Sequence, residues 1–521
     1  MKEFNITGTC FPDRHYMVDI GDRLAATKAL VDKGKYFCIN RGRQYWKSTT
    51  LEALLTYLEK EYFVISLSFE GLGEAAFEGD SAMVQTFAAR LRDQIEEGLI
   101  EDPEGKFLSV VKPLADKSED EREAMAKCSL MIGNLCRASD KPIVLLIDEV
   151  DQAGNHDAFI HLLGMLRDRY LKRNRLATFQ SVILAGVYDV RNLKLKIRSE
   201  DEHQYNSPWN IAAPYDFDMS LSEAGIAGML EEYERDHNTG MDIAMIAKLV
   251  REYTGGYPYL VSRLCMIMDS SCWNREGFLA AVKKLLGEEN TLFDDLVKKL
   301  DQFPALTDML RQVLYHGKKI SYNYSDREMA LATRFGYIAS GAGQVRIANR
   351  IFETFLYNYF VTESEKKEIL YDRAADSKSM FILPDGSLDM PLILKRFTET
   401  FNEIYGDRDE RFLEAEGRRY FMLYVRPIIN GVGNYYIEAE TRDGTRTDMV
   451  IDYRGKRYII EMKIWRDESY NERGEKQLAE YLDYFRLDTG YMVSFCFNKN
   501  KVQGLKAPVK IGDRNLIETV V

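Results

Sequence analysis

Three groups of residues combine types and spacings that could do chemistry. Near the N-terminus, Asn40-Arg41-Gly42-Arg43-Gln44-Tyr45-Trp46-Lys47-Ser48-Thr49-Thr50 puts an ammonium and a run of hydroxyls between a short apolar run and a helically spaced segment. The first amides of a helix have no intrahelical partner, so such a junction attracts anions. A second group, Asp148-Glu149, ends the apolar run Ile143-Val144-Leu145-Leu146-Ile147 with adjacent carboxylates. A third, Asp448 with Glu461-Met462-Lys463, sets two carboxylates and a lysine on the arms of a strand-like segment broken at Arg454-Gly455.

The first two groups belong to one kind of chemistry. Residues 35–40 read as a strand, 51–58 as a helix and 62–69 as a second buried strand, the unit in which helix amides meet phosphate. Lys47 would contact the outer phosphates of a nucleotide, and the Ser48 hydroxyl would ligate Mg2+. Asp148 would hold the same metal shell, and Glu149 would polarise an attacking water. Arg43, Gln44, Trp46 and Thr49 complete the candidate nucleotide contacts. The alternative for Asp148-Glu149 is a core strand followed by a solvated acidic turn. Residues 181–185 form another strand-like run, and its end, Gly186-Val187-Tyr188-Asp189, reads either as a γ-phosphate sensor or as a plain turn. The break at Gly255-Gly256-Tyr257-Pro258 reads as a helix end aimed at a nucleotide or as a helix corner.

The Ile-Asp-Glu strand, the Gly-Val-Tyr-Asp strand and the Gly-Gly-Tyr-Pro segment together resemble bacterial AAA-like ATPases related to archaeal and STAND-type P-loop ATPases. The resemblance covers most of residues 1–290, including the opening Phe4-Asn5-Ile6-Thr7-Gly8 stretch. It implies ATP as cofactor with Mg2+. That family usually has glycine before the loop lysine, where Trp46 stands here. Glycine lets backbone amides approach phosphate and permits torsions that a bulky residue resists, and an indole should narrow or plug the cradle, so weak ATP binding and impaired hydrolysis are expected.

In the third group, a symmetric two-residue turn at Arg454-Gly455 pairs Asp448 with Glu461. Directly opposed residues have Cβ atoms about 4.5–5.5 Å apart, close enough to share one Mg2+. Glu461 and Lys463 are two residues apart and project from one face. The ammonium could then orient water or stabilise a developing phosphate charge. The alternative is a surface hairpin with a salt bridge. Residues 475–485 read as a helix with Leu478, Leu482 and Phe485 on one face and Gln477 near its start, and 490–497 as a further strand. Residues 410–521 resemble the PD-(D/E)XK nuclease superfamily through Asp448, Glu461-Met462-Lys463 and Gln477. That resemblance implies a metal-ligating carboxylate on an upstream helix, for which Glu416 is the candidate and Glu414 the alternate. Mg2+, or Mn2+ in its place, is the implied metal and DNA the implied partner.

Elements of several kinds must position these groups. The chain has 521 residues, 45% hydrophobic and 12% aromatic, which suits two to four folded domains. A net charge of −12 argues against a protein that coats polyanions wholesale. Seven cysteines are scattered singly, in neither a disulfide framework nor a zinc pattern. No apolar leader and no stretch approaching eighteen apolar residues is present, so a cytoplasmic chain without membrane contact is expected. Residues 306–315, a second helix capped by Ser325 with Glu328 in a capping box, and a hairpin over 336–347 suggest a winged-helix module. Its exposed charges, Asp326, Arg327, Glu328 and Arg334, are of mixed sign, which favours a structural or interaction role over DNA reading.

The expected fold is multidomain α/β. It comprises a P-loop NTPase core with a parallel sheet (1–215), a helical lid (216–290), a winged-helix-like module (291–360), a linker or helical connector (361–405) and a restriction-endonuclease-like α/β/α domain (406–521). The expected function is a nucleotide-regulated, metal-dependent DNA endonuclease, with self-association through the ATPase module. The competing expectation is a STAND-like nucleotide-controlled interaction protein with a vestigial nuclease fold.

Overall fold

A computed structural model describes residues 2–521 apart from 103, 155, 188–208, 316–319, 342, 366–368, 406–413, 430–432, 437–448, 465–477, 480–481, 483–486 and 497–501. The chain divides into two compact units. One comprises Met1–Arg251, Gly256–Phe278 and Arg334–Gly336. The other comprises Glu252–Gly255, Leu279–Thr333 and Tyr337–Val521.

The first unit is built on a parallel sheet of β1 (Phe37–Asn40), β2 (Phe63–Ser68), β3 (Ile143–Asp148) and β4 (Ser181–Gly186), in the order β1-β4-β3-β2. Parallel strands covered on both faces read as continuous apolar runs, and β3 and β4 do. Alternate side chains then serve opposite layers. Val144 and Leu146 pack with Leu24 and Val31 of α1 (Gly21–Asp32) and with Leu51, Leu54 and Leu58 of α2 (Lys47–Leu58). Leu145 and Ile147 join the cluster of Met83, Phe87 and Leu91 from α3 (Asp80–Glu96) on the other face. That layer also takes helices α4 (Lys106–Ala115), α5 (Ala124–Ala138) and α6 (Asp157–Leu171). Because β4 lies between β1 and β3, the loops after β1 and β3 flank its C-terminal end. Ligands of open α/β sheets bind at such carboxyl ends.

Further helices of this unit include Glu223–His237, capped by Ser222, whose Oγ accepts the Gly225 amide at 3.0 Å. Helix Ile243–Thr254 stops at Gly255 and Gly256, both at positive φ, and Pro258 opens helix Pro258–Asp269. Proline suits a first helical turn because its missing N–H would be unpaired there anyway.

In the second unit, helices Thr291–Gln302 and Pro304–Tyr315 are followed by an antiparallel pair, β5 (Ile338–Gly341) and β6 (Gln344–Ile347). Between them helix Arg327–Arg334 is capped one residue later than expected. Asp326 Oδ1 accepts the Met329 amide at 2.9 Å, while the Ser325 amide is drawn into a turn on Asn323 Oδ1 at 3.0 Å. An Asx turn competes for the backbone before a helix, and the next carboxylate becomes the cap.

The C-terminal sheet runs β11-β13-β10-β9-β8-β7, with β12 pairing β13. Its strands are β7 (Gly433–Tyr436), β8 (Met449–Tyr453), β9 (Lys456–Ile464), β10 (Thr489–Phe495), β11 (Gly504–Leu505), β12 (Val509–Ile511) and β13 (Arg514–Val520). β8 and β9 form an antiparallel hairpin, whereas β9, β10 and β13 are parallel. Phe495 packs against Phe397 and Phe401 of helix Met390–Tyr405. That helix, from the segment expected as a connector, thus joins one layer of the C-terminal sheet. Leu478 and Leu482 lie against Gly490, where an added Cβ would stand 3.0 Å from each. Gly490 and Phe495 differ in parity, so these contacts fall on opposite faces. Among the described residues no helix is long and apolar enough to cross a membrane.

Candidate nucleotide site and a buried carboxylate–lysine pair

β1 delivers the chain to the loop of residues 41–46, and α2 starts at Lys47. The loop turns through left-handed backbone at Gln44 (φ 58°) and Trp46 (φ 57°, ψ 31°). Trp46 therefore adopts the left-handed torsions that glycine usually supplies at this position. The cost of left-handed backbone to an L-residue is only about 1–2 kcal/mol. Its carbonyl is held by Thr50, from the amide at 2.9 Å and from Oγ1 at 2.7 Å. The tryptophan is 8% exposed.

The neighbouring groups satisfy one another. Lys47 is 5% exposed, and its Nζ donates to the Gly42 carbonyl at 3.1 Å. Ser48 Oγ donates to Asp148 Oδ2 at 2.5 Å, and Asp148 Oδ1 accepts the Glu149 amide at 2.8 Å. Burial pulls the Lys47 ammonium below the ordinary lysine value, against the opposing pull of Glu149, Asp148 and Asp151. Burial likewise raises the Glu149 carboxyl, although the Lys47 charge lowers it. Hydroxyl and carboxylate oxygens are the hard donors that Mg2+ takes, so Ser48 and Asp148 suit that ion.

The other candidates have distinct surroundings. Thr49 Oγ1 accepts the Cys10 amide at 3.1 Å, tying the N-terminal segment to α2. The Arg43 carbonyl accepts the Tyr257 hydroxyl at 2.7 Å, and Tyr45 meets Tyr257 edge-on with centroids 4.6 Å apart. Tyr257 and Gly42 were missed as site residues. The signal for Tyr257 was its place in the Gly-Gly-Tyr-Pro break. Gly42 donates its amide to the Arg334 carbonyl at 2.7 Å, and a Cβ there would lie 2.9 Å from the Phe335 carbonyl oxygen. No local sequence signal announces that contact. Asp189 of the proposed sensor end lies outside the described residues, but Gly186 and Val187 sit between the loop and the Asp148-Glu149 turn. The Gly186 carbonyl accepts the Arg41 amide at 3.1 Å.

Comparison with known families shows where the chain belongs. Residues 16–358, more than half of the chain, match the AAA-like domain. The chain belongs to the AAA-like domain family. Its parallel sheet, phosphate-type loop and acidic strand end are accordingly those of a P-loop ATPase fold, which implies nucleotide binding. Solved structures similar to this AAA-like chain include the Walker-type ATPase PABY2304 of Pyrococcus abyssi. It is 14% identical with a TM-score of 0.45, over 68% of this chain and 99% of that one. The ORC1 protein of Aeropyrum pernix in complex with DNA is 10% identical with a TM-score of 0.29, over 67% and 94%. The ADP form of the Aeropyrum pernix ORC2 protein is 13% identical with a TM-score of 0.32, over 69% and 96%. No curated protein matches the chain.

In the second unit, the hairpin turns on Arg454 (φ 49°) and Gly455 (φ 77°), the paired positive torsions of a tight I′-type connection. It pairs Tyr453 with Lys456 and Met449 with Ile460, the register expected from the sequence. Glu461 is 1% exposed, and its Oε1 lies 3.0 Å from Lys463 Nζ on the same face of β9. β10 places Met492 beside Glu461 and Ser494 beside Lys463. Ser494 Oγ donates to Glu518 Oε1 at 2.6 Å, and Lys506 reaches the other oxygen of Glu518 at 2.8 Å. Asp448 and Gln477 lie outside the described residues. Glu414 and Glu416 fall in the first turn of helix Glu414–Ile429. Among the described residues no group of three or more His, Cys, Asp or Glu side chains is gathered as a metal site.

Proposed function

We propose that this AAA-like chain is a nucleotide-regulated, Mg2+-dependent DNA nuclease. The observation that carries the nuclease half is the buried Glu461–Lys463 pair, 3.0 Å apart on β9 of a hairpin that pairs Met449 with Ile460. A carboxylate almost wholly removed from water is costly unless it is paired. Keeping one beside a lysine on a sheet face fits phosphodiester hydrolysis better than a surface salt bridge. Asp448, Glu461 and Glu416 are the assigned metal ligands, with Mn2+ able to replace Mg2+. Lys463 orients the attacking water, and Gln477 supports the site from its helix. Bound metal would supply charge stabilisation to the phosphate.

In the first unit, Lys47 and Ser48 address the phosphates of ATP, and Asp148 with Ser48 holds its Mg2+. Glu149 polarises the attacking water, and Arg43, Gln44, Trp46 and Thr49 line the loop. Residues 1–215 act as the ATPase core and 216–290 as the lid. A winged-helix module over 291–360 serves as an interaction element, and 406–521 is the nuclease domain. Self-association through the ATPase module belongs to the same reading.

The test is cleavage of DNA by the purified full chain with Mg2+, in the presence and absence of ATP. Metal-dependent cleavage should vanish in Lys463→Ala. Cleavage that persists in that variant would remove the site assignment. No cleavage by the wild type, with an ATP-dependent change in mass, would assign the chain to nucleotide-controlled assembly instead.

A further inference from the structure

We infer that Asp151 is a positioning residue that locks the turn carrying Glu149 to the end of β4, and through it to the phosphate loop. The inference rests on the ATPase reading of the first unit and names a residue that this reading does not use.

Glu149 has left-handed backbone, φ 52° and ψ 40°, at the start of the short turn Val150–Gln152. A non-glycine residue held there costs about 1–3 kcal/mol and persists only where its surroundings over-determine it. The turn supplies part of that restraint, since the Gln152 amide donates to the Glu149 carbonyl at 3.1 Å. Asp148 Oδ1 holds the Glu149 amide at 2.8 Å, and Asp151 adds the tie to the neighbouring strand. Asp151 Oδ2 accepts the Val187 amide at 2.5 Å, just past the end of β4. Gly186 lets the turn pack closely against the end of β4. A Cβ there would stand 3.0 Å from Asp151 Oδ2 and 3.0 Å from Val150 Cγ2.

The other edge of the same two-residue stretch is held by the phosphate loop, whose Arg41 amide donates to the Gly186 carbonyl. Loop and turn therefore grip Gly186-Val187 from opposite sides. A displacement of the loop reaches Glu149 through two hydrogen bonds and no flexible side chain other than Asp151. The Asp151 charge is also felt at Lys47 and Glu149, in addition to burial, which dominates both. An asparagine at 151 would remove that charge while keeping an acceptor for the Val187 amide.

Two measurements on the full chain test this. Hydrogen exchange in the nucleotide-free protein reads the tie directly. The Val187 amide should exchange at least about tenfold faster in Asp151→Ala than in the wild type, and within about threefold of it in Asp151→Asn. ATP hydrolysis, measured in a Trp46→Gly background, should lose about tenfold or more in kcat in Asp151→Ala, with KM changed by less than about twofold. Asp151→Asn should recover most of that loss. Gly186→Ala, which pushes the carboxylate off the amide by a different route, should reproduce both effects. Unchanged exchange in Asp151→Ala overturns the inference. So does an Asn variant as slow in hydrolysis as the Ala variant, which would make the effect one of charge. If neither the wild type nor Trp46→Gly binds ATP, the nucleotide reading fails, and the exchange measurement still decides whether Asp151 holds the turn.

Discussion

Replacing Trp46 by glycine should move stability and nucleotide affinity in opposite directions. Three terms set the stability change. Left-handed strain of about 1–2 kcal/mol is relieved. Glycine's greater freedom in the unfolded chain costs about 0.5–1 kcal/mol. Loss of an indole that is 8% exposed costs about 3–5 kcal/mol. Packing outweighs strain, and the variant should be less stable by roughly 3 kcal/mol on these figures. Affinity follows a different account. The strain is present in the free loop, so if the loop keeps its torsions on binding, it cancels from the binding equilibrium. On the proposed reading, the bulk of the side chain beside Lys47 is then what opposes the phosphates. Its removal should tighten ATP·Mg2+ by about tenfold or more, equivalent to about 1.4 kcal/mol. Calorimetric titration with ATP·Mg2+, beside thermal denaturation of both proteins, measures the two quantities. Lower stability with unchanged affinity would refute the proposed obstruction, because the indole would then be packing material outside the phosphate cradle. Higher stability would refute the ranking of strain below packing.

Three further outcomes follow from the same geometry. Burial holds the Glu149 carboxyl above the ordinary glutamate value, and a general base must be ionised. The acid limb of ATP hydrolysis should therefore fall at a midpoint above about 4.3, the unperturbed glutamate value, and disappear with activity in Glu149→Gln. The folded state binds this proton more tightly than the unfolded chain. Its contribution to stability is thus full below the unfolded value and is lost as pH rises through the folded one, which denaturation of wild type and Glu149→Gln across that range reads. Gly42→Ala should destabilise the first unit by about 1–3 kcal/mol, because its Cβ meets a backbone carbonyl that cannot swing aside; chemical denaturation checks it.

What was legible in the sequence was whatever periodicity or turn chemistry expresses locally. The β3 strand could be read because all five residues from Ile143 to Ile147 are buried in a sheet covered on both faces. The hairpin register could be read because Arg454-Gly455 makes a two-residue turn, which leaves no freedom in pairing the arms. The cap at Asp326 was displaced by one residue because Asn323 draws the Ser325 amide into a turn and the next carboxylate takes the Met329 amide. Asp151 was hidden by its company. In a run of acids after a strand, a third carboxylate reads as solvated until its partner, an amide at the end of another strand, is seen. The Gly42 contact with residues 334–335 and the Tyr257 bond to Arg43 join segments far apart in the chain, and no local pattern carries such pairings. That Trp46 would take up left-handed torsions was not legible, because the restraints that hold them come from the folded start of α2. A penalty of about 1–2 kcal/mol is matched by the two bonds from Thr50 that hold the Trp46 carbonyl.

The pairings in the first unit bear on how a nucleotide can enter it. Lys47 is bonded to Gly42, Ser48 to Asp148, and Asp151 to Val187, so the polar groups of the site are not idle before a ligand arrives. On the proposed reading, phosphate would displace the Gly42 carbonyl from Lys47, and Mg2+ would displace the Ser48 proton from Asp148. Binding is then an exchange of hydrogen bonds, and exchanges of this kind contribute only about 0.5–1.5 kcal/mol net each, more where a charge is involved. The Asp151–Val187 bond faces neither phosphate nor metal in this scheme and is the one that survives the exchange. A site built this way gains affinity chiefly from charge pairing at the buried Lys47, where the low dielectric that depresses the lysine also strengthens its attraction to an anion. Added salt, which screens buried pairs weakly, should therefore weaken ATP binding far less here than binding to exposed lysines.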